Sequence, residues 1–190
     1  MNEYLSVWSL IRTSGFTAYF FMTISLVFGL LSSFSFMKHR KAQLLNIHQT
    51  SGWYGLLTII FHMTLLWKDQ YVPYSLTELL IPFAAKNAPV YSALGTLSFY
   101  LFFLVIGTSD FFMKKLGRVR WKKIHFAVIP AWLMIVIHGI YIGTDSSQPW
   151  ALFMYGGGVS IILVLGFIRY LDSIVSRKLI EKRSTILKQK

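Results

Sequence analysis

The sequence predicts an all-α membrane protein of several spans, on three observations: its apolar length, its short connections and its one-sided charge. Hydrophobic residues make up 55% of the chain and charged residues only 14%, against roughly 25% charged in soluble domains. A bilayer core of about 30 Å asks for about 20 apolar residues per helical span. Five segments meet that length, at 14–37, 47–67, 91–113, 124–142 and 150–170. The connections are short, so 1–190 reads as one helical domain with no soluble domain attached.

Charge sets the expected orientation. Lys38, Arg40 and Lys41 follow the first span, and Lys114, Lys115, Arg118, Arg120, Lys122 and Lys123 separate the third from the fourth. Arg169 and the tail over 171–190 carry the next group. Only Arg12, Lys68 and Lys86 fall on the other face, with Glu3, Asp69, Glu78 and Asp145. The positive-inside rule then predicts an outside N-terminus, five spans and a cytoplasmic C-terminus in a cell membrane. The net charge of +12 follows from topology and contact with anionic lipid, not from nucleic-acid binding.

The first span is too long for a signal-peptide core and lacks a basic leader, so it is expected to remain as a helix. Residues 68–90 form the one sizeable outer loop, punctuated by Pro73, Pro82 and Pro89. Within it, 76–83 reads as a short apolar helix in the membrane interface. Gly156, Gly157 and Gly158 in the fifth span read as helix-packing residues, and the helix is expected to continue past 170. No internal duplication is evident.

Four histidines lie inside two of these apolar segments: His48 and His62 in the second, His125 and His138 in the fourth. Ionisable residues at membrane depth are costly and mark function by default. Imidazole is the usual axial ligand of haem iron. With parallel second and fourth spans, depth pairs His48 with His125 near the cytoplasm and His62 with His138 toward the outside. Fourteen residues at 1.5 Å each separate the levels by about 20 Å and return both α-helical side chains to within about 40°. Two stacked bis-histidine haems fit that layout. The chain has no cysteine, which removes thiolate ligands, iron–sulfur clusters and covalent haem attachment. Any haem is therefore b-type.

Neighbouring residues sharpen the expectation. Gly52 and Gly55 share a face with His48, where a flat macrocycle or a packed helix needs small residues. Thirteen residues between His125 and His138 leave about 140° of mismatch on an ideal helix, and a kink at Pro130 is expected to correct it. Trp132 reads as core or lipid-facing, with an electron relay as its alternative. His39, in a basic loop, reads as solvated. Arg12, at the outer end of the first span, reads either as an interfacial anchor or as a partner for a haem propionate.

The chain resembles the ferric reductase-like transmembrane domain superfamily, which includes ferric reductases, NADPH oxidases and the haem-bearing membrane subunit of methionine-sulfoxide reductase systems. The resemblance rests on the histidine spacings, on Arg12-Thr13-Ser14-Gly15, on Gly29-Leu30-Leu31, and on His138-Gly139-Ile140-Tyr141-Ile142-Gly143-Thr144-Asp145. It spans about 12–150. It implies that His48, His62, His125 and His138 ligate two b-type haems and pass electrons from a cytosolic flavin to an external acceptor. The chain differs in having five spans instead of six and no G-x-G-x-x-G fingerprint. The implied function is transmembrane electron transfer without a covalently bound flavin or a nicotinamide site. The donor is then a separate flavin reductase or a quinol, and the outer acceptor is left open. The alternative is a non-catalytic haem-binding membrane subunit for assembly, sensing or haem transfer; a third is a haem-free protein whose histidines bond between helices.

Overall fold

The structure is a computed structural model that describes residues 6–69 and 72–188, with side chains described to residue 176. Glu3, and Gln189 and Lys190 of the basic tail, lie outside the described residues. Among the described residues seven α-helices run in order: α1 (Val7–Leu31), α2 (Lys41–Trp67), α3 (Leu76–Leu80), α4 (Pro89–Gly107), α5 (Met113–His125), α6 (Val128–Ile142) and α7 (Pro149–Lys188). A 3-10 segment, Ser35–Arg40, joins α1 to α2, and a π turn, Thr108–Phe112, joins α4 to α5. There is no strand among the described residues.

Three helical stretches are long and apolar enough to cross a membrane: Val7–Leu31, Pro89–Ile142 and Pro149–Ser176. These are the helices of a membrane protein. The middle stretch is not one rod, because α4 and α6 pack side by side. Helix α2, at 27 residues, is about 40 Å long. It is outside that set, because the Thr50–Gly55 run and His62 lower the hydropathy of its otherwise apolar outer part.

Local chemistry explains the boundaries. α1 stops at Leu31, short of the expected Met37, and Ser32 caps it with N–H bonds to Leu30 and Phe28 carbonyls. The short helix expected over 76–83 forms only over Leu76–Leu80, as α3, and stops at the extended Ile81; it is opened by a capping box in which Ser75 and Glu78 satisfy each other's backbone N–H. α7 continues through position 170 as one helix to Lys188. Asp172 on α7 ties down the 3-10 segment, accepting from Ser35 N at 3.2 Å and Ser35 Oγ at 3.1 Å.

The segment expected as one helix over 124–142 is two. α5 ends at His125, a turn takes up Phe126 and Ala127, and α6 begins at Val128. The kink expected at Pro130 therefore lies upstream of it. Pro130 has no N–H to give the Phe126 carbonyl; Ile129 N takes that acceptor at 3.2 Å. The proline is left in the first turn of α6, where a missing donor costs nothing. Chain reversal between α4 and α6 also uses Gly117, at φ 73° and ψ 155°, a conformation open to glycine alone.

α1 and α2 form one antiparallel hairpin, and α4 with α6 forms a second. α7 lies against α1, while α1–α6 and α2–α4 contacts join the hairpins. The core consists of Tyr19, Met22, Leu26, Leu56, Phe102, Ala131, Trp132, Val136 and Tyr155. Small residues allow close approach, as membrane helices require. A Cβ on Gly158 would collide with the Tyr19 hydroxyl, and one on Gly139 with that of Tyr155; Gly156 and Gly157 face open space.

Tyr100 and Thr96 of α4 anchor the 72–87 connection by bonds to the Leu80 and Leu79 carbonyls, and one carboxylate ties its two halves together. Glu78 accepts from Ser75 N at 2.9 Å, Ser75 Oγ at 2.8 Å and Lys86 N at 3.1 Å. These bonds, the Ser75 ones first, draw its carboxyl down to about 2. A depressed folded-state value means the contribution is complete above the ordinary carboxylate range and is lost as pH falls toward about 2. Glu78→Gln, which cannot accept in the same way, is expected to increase protease cleavage within 72–87 at neutral pH and to leave the helices uncut. Unchanged cleavage would show that the connection does not depend on this carboxylate.

Candidate functional site

Three of the four histidines of the apolar segments share one mode of attachment. His48 Nδ1 lies 2.8 Å from the Ser25 carbonyl, His62 Nδ1 3.0 Å from that of Ile11, and His138 Nδ1 2.8 Å from that of Tyr91. A carbonyl only accepts, so each Nδ1 carries the proton. In each case the residue four positions after the carbonyl is a glycine against which the ring lies. A Cβ at Gly15 would stand 3.4 Å from His62, at Gly29 3.1 Å from His48, and at Gly95 2.8 Å from His138. Hydroxyls reinforce two of these seats: Ser14 Oγ is 3.1 Å from His62 Nδ1, and Ser25 Oγ 3.0 Å from His48 Nδ1.

His125 is held differently. Its Nδ1 meets Ser109 Oγ at 3.2 Å, while that hydroxyl bonds the Val105 carbonyl at 2.7 Å. Ser109 thus occupies the position, four after a carbonyl, that glycine occupies in the other three. The two hairpins are therefore built alike: small residues fourteen apart, Gly15 and Gly29 on α1, and Gly95 on α4 with Ser109 in the π turn that follows it, seat the paired histidines. That likeness is a duplication of layout which composition alone did not reveal.

The four rings gather into two pairs. His48 and His125 stand with ring centres 5.9 Å apart and planes at 72°. His62 and His138 line one cavity of about 310 Å³, with Gly15, Gly95, Tyr19, Arg12 and Asp145. His48 and His62 lie on one unbroken helix, which puts the pairs about 20 Å apart. Every core residue on α1, α2, α4 and α6 falls between the two levels in its own helix. A layer of buried, mostly apolar side chains separates them.

The residues fit the b-type haem implied by the sequence. Among the described residues no hydrogen bond reaches the Nε2 of any of the four histidines, and none of those nitrogens is sealed in without a partner. A ring that gives Nδ1–H to a carbonyl and leaves Nε2 free is in the tautomer and attitude of a metal-ligating histidine. Two imidazoles on opposite sides of one ion, with metal–nitrogen bonds of about 2 Å, have ring centres about 6 Å apart. The His48–His125 spacing matches. Among the described residues no three His, Cys, Asp or Glu side chains converge.

The other candidate residues have defined places. Arg12 sits at the cavity edge, its Nε 2.6 Å and its terminal nitrogen 2.5 Å from one oxygen of Asp145. Its first partner is that carboxylate, which the sequence placed on the same outer face and in the His138–Asp145 run without pairing the two. Gly52 and Gly55 face α1, against Ser25 and Met22, so they serve helix packing. Trp132 is 2% exposed; its indole bonds Thr23 Oγ1 at 3.0 Å and its ring stacks on Tyr19. It is core. His39 lies exposed in the 3-10 segment. The chain matches no protein-family model, no curated protein and no solved structure.

The seats make a graded series. Replacing glycine by alanine within a helix gains about 0.5–1 kcal/mol from propensity, and overpacking costs about 1–3 kcal/mol. Gly15→Ala, at ordinary contact distance, is expected to leave thermal stability in detergent unchanged or slightly raised. Gly95→Ala, which pushes on the His138 ring, is expected to lose about 1–2 kcal/mol. Equal effects at the two positions would mean that the rings are not seated there.

Proposed function

We propose that this chain is a di-haem b-type electron carrier of the ferric reductase-like kind, spanning a cell membrane five times. The observation that carries the reading is the two facing histidine pairs, all four Nδ1 atoms engaged and all four Nε2 atoms free. His48 with His125 hold the inner haem and His62 with His138 the outer one. Bound haem supplies an iron that takes and gives one electron at a time. The chain's own part is to fix ring orientation through the Nδ1 bonds, to keep the ligands neutral, and to exclude water between the two levels. Arg12, already oriented by Asp145, lies at the outer cavity edge where an anionic haem edge or acceptor arrives.

Electrons enter from the basic end and leave at the outer cavity. The donor is a separate flavin reductase or a quinol, because hydride from a nicotinamide carries two electrons and needs an intermediary. The described residues form no strand, so they hold no βαβ unit for a dinucleotide.

Purified protein expressed with ample haem is expected to show a low-spin b-type spectrum and close to two haems per chain by pyridine haemochrome. Absence of haem would end the proposal. His62→Ala or His138→Ala should remove one haem and leave the other reducible by a cytoplasmic-side donor; His48→Ala or His125→Ala should stop that reduction. NADPH alone should reduce neither, and adding flavin with a flavin reductase should restore reduction. Rapid reduction by NADPH alone, in protein free of flavoprotein, would reveal a nucleotide site in this chain.

A further inference from the structure

We infer that Ser109 is a positioning residue that makes the His48–His125 pair electronically unlike the His62–His138 pair. The inference rests on the di-haem reading of those pairs. Three of the histidines give Nδ1–H to a carbonyl at 2.8–3.0 Å. The fourth, His125, meets only the Ser109 hydroxyl, at 3.2 Å. A serine has one proton to donate, and the shorter contact, 2.7 Å to the Val105 carbonyl, takes it. Ser109 Oγ is then an acceptor toward His125. It also accepts from the Trp121 indole at 3.0 Å, so two donors share one neutral oxygen. The His125 Nδ1 bond is the weakest of the four.

A ligand imidazole becomes more basic as the acceptor of its second nitrogen strengthens, and a more basic ligand favours oxidised iron. Hydrogen bonding behind the axial ligand is one of the protein's levers on haem potential. Ser109 and Trp121 therefore raise the potential of the His48–His125 haem relative to one held by two carbonyl-bonded rings. Removing the hydroxyl raises it further; removing the indole frees the hydroxyl for His125 and lowers it.

The test is a redox titration of the full-length, haem-loaded chain, with haem content and low-spin EPR signals measured alongside. Ser109→Ala is expected to keep two haems and shift one midpoint upward, leaving the other in place. Ser109→Thr, which retains the hydroxyl, should restore the wild-type value. Trp121→Phe should move the same midpoint downward, and it carries the test if Ser109→Ala does not fold. Two haems whose potentials are unmoved by these changes, or move together, would overturn the role of Ser109 alone. A wild-type chain without haem would overturn the di-haem reading and this inference with it.

Discussion

The structure depends on one contact: an imidazole N–H on one helix bonded to a backbone carbonyl on the next. That carbonyl lies within a helix, and the ring adds a bond to it; at Ile11 it also accepts from the Ser14 hydroxyl at 2.9 Å. The ring reaches it only where the residue four positions on is small enough to stand aside. Glycine meets the condition at Gly15, Gly29 and Gly95, and a hydroxyl substitutes for the carbonyl at Ser109. In a bilayer, helices gain little from hiding apolar surface against one another, and close packing with interhelical hydrogen bonds decides which faces meet. The seats therefore set the register of both hairpins as well as the attitude of the rings.

The layer between the two levels follows from the same register. Once Gly15 meets His62 and Gly29 meets His48, the α1 residues between them must pack on α2 and α6, and there the chain supplies Tyr19, Met22 and Leu26. Polar atoms of this layer are largely paired internally. Tyr19 bonds backbone carbonyls of α7 at 3.3 Å and the Trp132 indole bonds Thr23. No described buried side-chain polar atom is left unpartnered. The low polarity of the layer strengthens every hydrogen bond within it.

Much of the site was legible in the sequence because a histidine in an apolar run is rare and its spacing can be counted. The seats were harder to see. Gly15 and Gly29 are fourteen apart, as His48 and His62 are, and an antiparallel hairpin would have paired them. A glycine in a membrane helix, however, has too many other uses to be read alone: Gly52, Gly55 and Gly158 serve packing. Ser109 carries no sequence signal, since a serine in a membrane helix ordinarily bonds its own backbone, as this one also does. Asp145 lies far from Arg12 in sequence, and only the fold brings their charges together. Pro130 marked a disturbed helix correctly and its place wrongly, because the carbonyl it cannot reach is that of Phe126, one turn upstream, where the helix breaks between α5 and α6.

The two hairpins solve the same geometric problem with unequal regularity. On α2 a spacing of fourteen returns both rings to one face of an unbroken helix, and α1 is unbroken beside it. In the second hairpin a spacing of thirteen would leave the rings about 140° apart on one helix. The turn at Phe126 and Ala127 uncouples them, putting His125 on α5 and His138 on α6. The facing helix is interrupted at the same level, by the π turn Thr108–Phe112 that contains Ser109. Such turns replace regular i→i+4 bonding and shift the side-chain register by a residue. Both departures from regular helix thus fall where His125 meets α4, the same place where a hydroxyl stands in for a carbonyl. The irregular backbone and the exceptional hydrogen bond have one cause: the second hairpin cannot present His125 to a carbonyl seat while keeping His138 on its own.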